Sequence, residues 1–142
     1  MPLHFLAAAL ALVPAQPDAA AKELAKLEGT WALVAMEVDG KPVPPERLTS
    51  ASLVIRGNKY GLTSGNKLAE VEIALDASKT PHAIDMRFLD GPNKDRVGRG
   101  IYQRDGDKLK ICRSLDPQDE RPKDFKTEGQ VNYFVMTWQK QP

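Results

Sequence analysis

Few side chains in this sequence have the chemistry to make or break a bond. His82 is the only histidine besides His4, and Cys112 is the only cysteine. A serine or cysteine hydrolase needs a nucleophile beside a base that a third group orients. Any such arrangement would have to recruit His82, and no Gly-x-Ser-x-Gly elbow exists to present a serine. A single His and a single Cys match no zinc spacing. Asp116, Asp119 and Glu120 fall in one polar stretch but lack the ordered ligand spacing of a calcium loop. No glycine-rich loop precedes a helix to cradle phosphate. The expectation is a protein that is not an enzyme and uses no cofactor or metal.

Recognition chemistry is left. Arg99 shares strand parity with Val97 and Ile101. If those residues face a core, Arg99 does so too, and a buried guanidinium needs a partner. That partner would be an internal acid such as Glu37 or the carboxylate of a bound molecule. Net charge is +1 with both signs interspersed, unlike the concentrated basic stripe that nucleic acid requires. Tyr60, Tyr102 and Tyr133 are spread over three strands, which argues against a stacking platform for single strands. A lone Cys112 cannot form an intrachain disulfide, so the fold must rest on its apolar core.

The elements that position these groups are mostly strands. The chain has 142 residues, enough for one domain with a real core. Residues 1–15 are apolar from Leu3 to Val13 except for His4, and Val13-Pro14-Ala15 ends on a small residue. That pattern is a secretory signal peptide, although its start carries no Lys or Arg. The apolar run is too short to span a bilayer, so no stable membrane insertion is expected. The mature protein would then be exported, to a periplasm or beyond. Residues 16–28 read as a short amphipathic helix with Ala20, Leu24 and Leu27 on one face, ended by Gly29.

From 29 to 142 the pattern is short strands with turn signals between them. Strands are expected at 31–38, 52–56, 59–63, 67–75, 82–89, 96–104, 107–113 and 131–139. The runs at 67–75 and 82–89 alternate clearly, and Asp105-Gly106 between two alternating runs is a hairpin signal. Lys41-Pro42-Val43-Pro44-Pro45 cannot be a central strand, because proline removes ladder donors; 45–48 reads as one helical turn. Residues 114–130 form a long polar loop. Without room for crossover helices, neighbouring strands must be antiparallel. The fold class is all-β: an eight-stranded antiparallel up-and-down barrel with a short N-terminal helix. A two-sheet sandwich is the alternative.

Six stretches carry a family resemblance: Leu27-Glu28-Gly29-Thr30-Trp31, Asp39-Gly40-Lys41-Pro42-Val43-Pro44, Lys79-Thr80-Pro81-His82-Ala83-Ile84-Asp85, Gly100-Ile101-Tyr102, Asp105 to Cys112, and Arg121-Pro122. Together they resemble a lipocalin-like domain family of unknown function, abundant in planctomycete-type bacteria. The resemblance covers residues 24–140 and implies a lipocalin-like barrel with Gly29 and Trp31 as its structural signature. It implies no activity and no catalytic residue. Trp31 would plug one end of the barrel beside the helix.

Small barrels of this size are either filled with side chains or hold one small ligand. The candidate lining is Arg99 with Ile84, Met86, Phe88, Ile101 and Tyr133, in company with Leu33, Ile55, Val71, Ile73, Leu109, Ile111 and Val135. The expected function is binding of a small apolar or amphipathic molecule inside the barrel. The alternative is a filled barrel that serves as a structural or protein-interaction module through its loops, with the partner protein unspecified.

Overall fold

A computed structural model describes residues 17–48 and 50–142. The expected leader at 1–15 lies outside the described residues. The described residues begin with a helix, α1 (Pro17–Leu27), and continue into nine strands. These are β1 (Gly29–Val38), β2 (Lys41–Pro42), β3 (Ala51–Arg56), β4 (Lys59–Ser64), β5 (Lys67–Asp76), β6 (His82–Phe88), β7 (Val97–Asp105), β8 (Lys108–Ser114) and β9 (Tyr133–Lys140). Each strand pairs antiparallel with its neighbour from β3 to β9, and β1 pairs with both β3 and β9. The result is a closed barrel of eight strands, with β2 as a ninth piece on the rim. Closure leaves no long edge exposed.

The proline-rich stretch behaves as its chemistry requires. Only Lys41 and Pro42 pair, opposite Val38 and Glu37, and Pro45–Arg47 forms a single 3-10 turn. Gly29 leaves the helix with φ of +137°, a conformation that side chains rarely adopt, and a Cβ there would sit 3.0 Å from Lys140 Cε.

The first strand is apolar on both faces for a local reason. Its register with β9 shifts between Leu33 and Ala35, which makes Val34 the extra residue of a bulge. Before the bulge, Trp31 and Leu33 face inward, opposite Leu53 and Trp138. After it, Met36 and Val38 face inward, opposite Met136 and Phe134. A period-2 pattern read without the bulge puts Met36 and Val38 on the opposite face from Trp31.

The two ends of the barrel differ. α1 covers one end, where the 57–58, 77–81 and 106–107 turns also lie. Leu24 and Leu27 pack on the core, and Trp31, fully buried, donates its Nε1–H to Leu27 O at 2.9 Å. Trp31, Leu53, Ile84, Met86, Leu109, Ile111 and Trp138 are each at most 1% exposed, so this half is solid. Glu23 accepts the Tyr102 hydroxyl at 2.8 Å and pairs with Lys26 at 3.3 Å. Burial works against the Glu23 carboxylate, but these hydrogen bonds prevail and hold its pKa below the ordinary value. No helix among the described residues is long and apolar enough to cross a membrane.

The other end is the mouth, ringed by the 39–40 and 65–66 turns, the 89–96 loop and the long 115–132 loop. That long loop does not trail into solvent. It folds down over the outer wall of β7, β8 and β9. Phe125 packs there against Ile101, Cys112 and Val135, a second small core outside the barrel. This cover explains why β9 is apolar on both faces. It also makes Cys112 inert: burial pushes the thiol up to about 11.

Candidate binding site

Register decides which predicted lining residues face the interior. Ile84 pairs with Gly100 and Met86 with Gly98, and Phe88 pairs with Val71, which is buried in the core. Ile84, Met86 and Phe88 are therefore interior. On β7 the inward positions are Gly98, Gly100 and Tyr102, so Arg99 and Ile101 point outward. Arg99 is exposed on the outer wall and borders a shallow cleft with Arg96, Val97 and Gln118. Ile101 is buried, but in the outer core beneath Phe125. Tyr133 also faces out; its hydroxyl donates to Glu120 O at 2.7 Å and helps hold the long loop. Val135 belongs to the outer core as well. The proposed Arg99–Glu37 pairing does not form. Glu37 instead accepts the Thr127 hydroxyl at 3.1 Å.

These misplacements have one cause. Alternation identifies two faces of a strand but cannot say which is inside when both are covered. Val97 and Ile101 are larger and more apolar than the two glycines, and the loop that covers Ile101 is distant in sequence.

The barrel does contain an inward-facing arginine, Arg113 on β8. It shares parity with the buried Leu109 and Ile111 and pairs with Gly100 across the ladder. Gly100 leaves room beside it. A Cβ on Gly100 would lie 2.8 Å from Cys112 O and 3.3 Å from Arg113 Cβ. A Cβ on Gly98 would lie 3.4 Å from the Phe88 ring. The guanidinium carbon of Arg113 sits 4.8 Å from the centre of the Phe134 ring and 6.0 Å from that of Phe88. Both are cation–π distances. Nη1 donates to Ser114 O at 3.3 Å, whereas the Nε–H is buried with no acceptor among the described residues. No carboxylate pairs with Arg113 among the described residues. Burial lowers its pKa, partly offset by electrostatic interaction with Tyr60. Burial likewise raises the Tyr60 hydroxyl, with Arg113 pulling the other way.

Above this arginine the interior opens. Val38 lies on the inward face opposite Phe134 and is 43% exposed. Ala69 lies on the inward face opposite Leu62 and is also exposed. Met36, Leu62 and Phe88 are half-buried and pack on the core from this side. The barrel is thus packed from Trp31 up to the Tyr60–Phe88–Phe134 level, and beyond it the inward-facing Val38 and Ala69 are open to solvent. Arg113 lies at the boundary. Sequence reasoning missed Arg113 as a site residue, although the signal was available: it continues the Leu109–Ile111 face and stands opposite a strand that carries two glycines.

A second half-buried arginine, Arg121, lies across the same wall on the outside. Its Nη1 donates to Gly100 O at 2.8 Å and Ile84 O at 3.2 Å, and its Nη2 donates to Asp85 at 2.6 Å. Asp119 and Glu120 make other contacts: Asp119 accepts the Ser114 hydroxyl, and the Glu120 carbonyl accepts from Tyr133. Thr127, fully buried, accepts Gly40 N–H at 2.9 Å, and Asp39 accepts Gly129 N–H at 2.8 Å. These contacts leave a polar cleft of about 300 Å³ between the loop and Tyr133, lined by Glu120, Lys123, Asp124 and Lys126.

His82, the only histidine among the described residues, lies at the covered end. Its Nδ1 is 2.9 Å from Lys79 O, and its ring tilts against Tyr102. No group of three or more His, Cys, Asp or Glu side chains suited to a metal ion occurs among the described residues. No protein-family model, curated protein or solved structure matches this chain.

Proposed function

We propose that this protein binds a small amphipathic molecule in the mouth of its barrel, as a lipocalin-like carrier or sensor. The observation that carries this reading is that inward-facing apolar side chains, Val38 and Ala69, are exposed to solvent at the mouth end. Val38, Ala69, Leu62 and Met36 line the inward face there, over a floor formed by Phe88 and Phe134. Burying such a surface against an apolar chain is favourable by roughly 25 cal/mol per Å². A cup with a rigid packed base needs little reordering to receive a ligand. The proposed setting is outside the cytoplasm, with the 1–15 segment removed, and N-terminal sequencing of the mature protein checks this.

The rival reading is a contact made through the long loop. It draws on Leu115 and Val131, which are 64% and 80% exposed at the two ends of that loop. One experiment separates the two. Titration with a neutral fluorescent naphthylamine probe is expected to saturate at one site per chain. Ala69→Trp should fill the cup and abolish that signal. Replacing Leu115 and Val131 with Ser should leave it unchanged. Lack of saturable binding to the wild-type protein, or full binding to Ala69→Trp, would overturn the mouth reading.

A further inference from the structure

The floor of the cup is not purely apolar, and its one charge is unanswered. The guanidinium of Arg113 lies within cation–π distance of the Phe88 and Phe134 rings. Its Nε–H is buried without an acceptor, and no carboxylate among the described residues neutralises it. An unpaired buried charge is costly to a fold. A merely structural arginine at this depth would be expected to have the partners that Arg121 has on the other side of the same wall. The chain also keeps Gly100 in β7, where a Cβ would crowd the Cys112 carbonyl and Arg113 Cβ. Glycine weakens a strand, so this space is held open at some cost.

Resting on the mouth reading above, we infer that Arg113 receives the anionic head of the ligand, a carboxylate carried on an apolar chain. The guanidinium is a planar fork suited to a carboxylate, and its Nε edge has no acceptor among the described residues. The apolar rings of Phe88 and Phe134 lie within cation–π distance of that fork, and a less polar setting strengthens a charge-assisted hydrogen bond. The ligand would enter head first. Its carboxylate would meet Arg113 at the floor, and its chain would run outward past Leu62 and Met36 to the rim at Val38 and Ala69. Tyr60, on β4 and also inward-facing, interacts electrostatically with Arg113. A neutral amphiphile of the same length would fill the same apolar walls but leave the guanidinium unpaired.

The test compares decanoate with 1-decanol, both below their aggregation limits, by calorimetric titration of the folded protein. Wild-type protein is expected to prefer decanoate by about ten-fold or more, as a charge-assisted hydrogen bond confers. Arg113→Met, which keeps an unbranched apolar side chain in the wall, should bind the two equally. Arg113→Lys should give an intermediate preference, because it retains the charge without the fork. Arg99→Ala, on the outer wall, should match the wild type. Equal binding of decanoate and decanol by the wild-type protein would overturn the head-group assignment while leaving the mouth reading in place. So would a preference that survives in Arg113→Met. Lack of saturable binding by either ligand would overturn the mouth reading itself. The wild-type comparison decides the matter even if a variant fails to fold.

Discussion

Two arginines meet at Gly100 from opposite sides of one barrel wall, and their surroundings could hardly differ more. Arg121, outside, donates to the Gly100 and Ile84 carbonyls and to Asp85. Arg113, inside, is the ladder partner of Gly100 and has two aromatic rings, one carbonyl and no acid among the described residues. A guanidinium that fills its hydrogen-bonding fork from its own chain is a fastener. One that is half-buried and left short of acceptors among the described residues is not fastened in that way. Residue type alone does not separate these roles; register and enclosure do.

The largest effect expected from disturbing this comparison comes at the residue the two arginines share. Gly100→Ala forces a Cβ to within 2.8 Å of the Cys112 carbonyl, a backbone atom that cannot swing aside. It also presses on Arg113 Cβ and Ile84. Overpacking of this kind costs about 2–3 kcal/mol, and urea unfolding should show the midpoint fall accordingly. An unchanged midpoint would mean that the wall yields more easily than its contacts indicate, and would weaken the claim that Gly100 is kept for space.

Next in size is the contrast between the arginines themselves. Arg121→Ala leaves Asp85 unpaired and removes the clamp between the 115–132 loop and β6–β7. Asp85 is 44% exposed, so its ion pair contributes little by itself. The lost carbonyl bonds and packing amount to about 1–2 kcal/mol. Limited proteolysis should then cut the loop sooner than in the wild type. Arg113→Met is expected to leave stability within about 1 kcal/mol of wild type, or to raise it, because a buried unpaired charge gives way to an apolar side chain. A loss at Arg113→Met equal to that at Arg121→Ala would make both arginines fasteners and end the distinction.

The same contrast explains how much the sequence could disclose. The strands were legible nearly to the residue, because turns such as Asp105-Gly106 and alternation at 67–75 are local signals. The barrel followed from the number of strands and the lack of crossovers. The site was only half legible. Ile84, Met86 and Phe88 alternate with charged residues, so their inward face was plain. Arg99 and Ile101 were turned the wrong way because the outer face of β7 is itself apolar. Its cover, Phe125, arrives from a loop whose polar composition gives no hint that it folds back. Register in β1 was obscured by the Val34 bulge, which no turn residue announces. Non-local contacts settle these questions, and a single sequence does not display them.

The smallest predicted effect lies at the covered end, where a carboxylate is satisfied as fully as Arg121 is. Glu23 accepts from Tyr102 and Lys26, and its pKa is held below the ordinary carboxylate value. A group whose pKa is lowered on folding adds stability above its unfolded pKa and loses it as pH falls through the folded one. Tyr102→Phe should therefore cost about 1 kcal/mol at neutral pH, by removing one hydrogen bond to a charged, partly buried acceptor. The difference between wild type and variant should shrink as pH drops below the ordinary carboxylate range, once Glu23 is protonated in both. Thermal melts at neutral pH and near pH 3 measure that difference directly. A constant difference across this range would place the contribution of Tyr102 in the packing of its ring, and the helix would be held over the covered end by apolar contact alone.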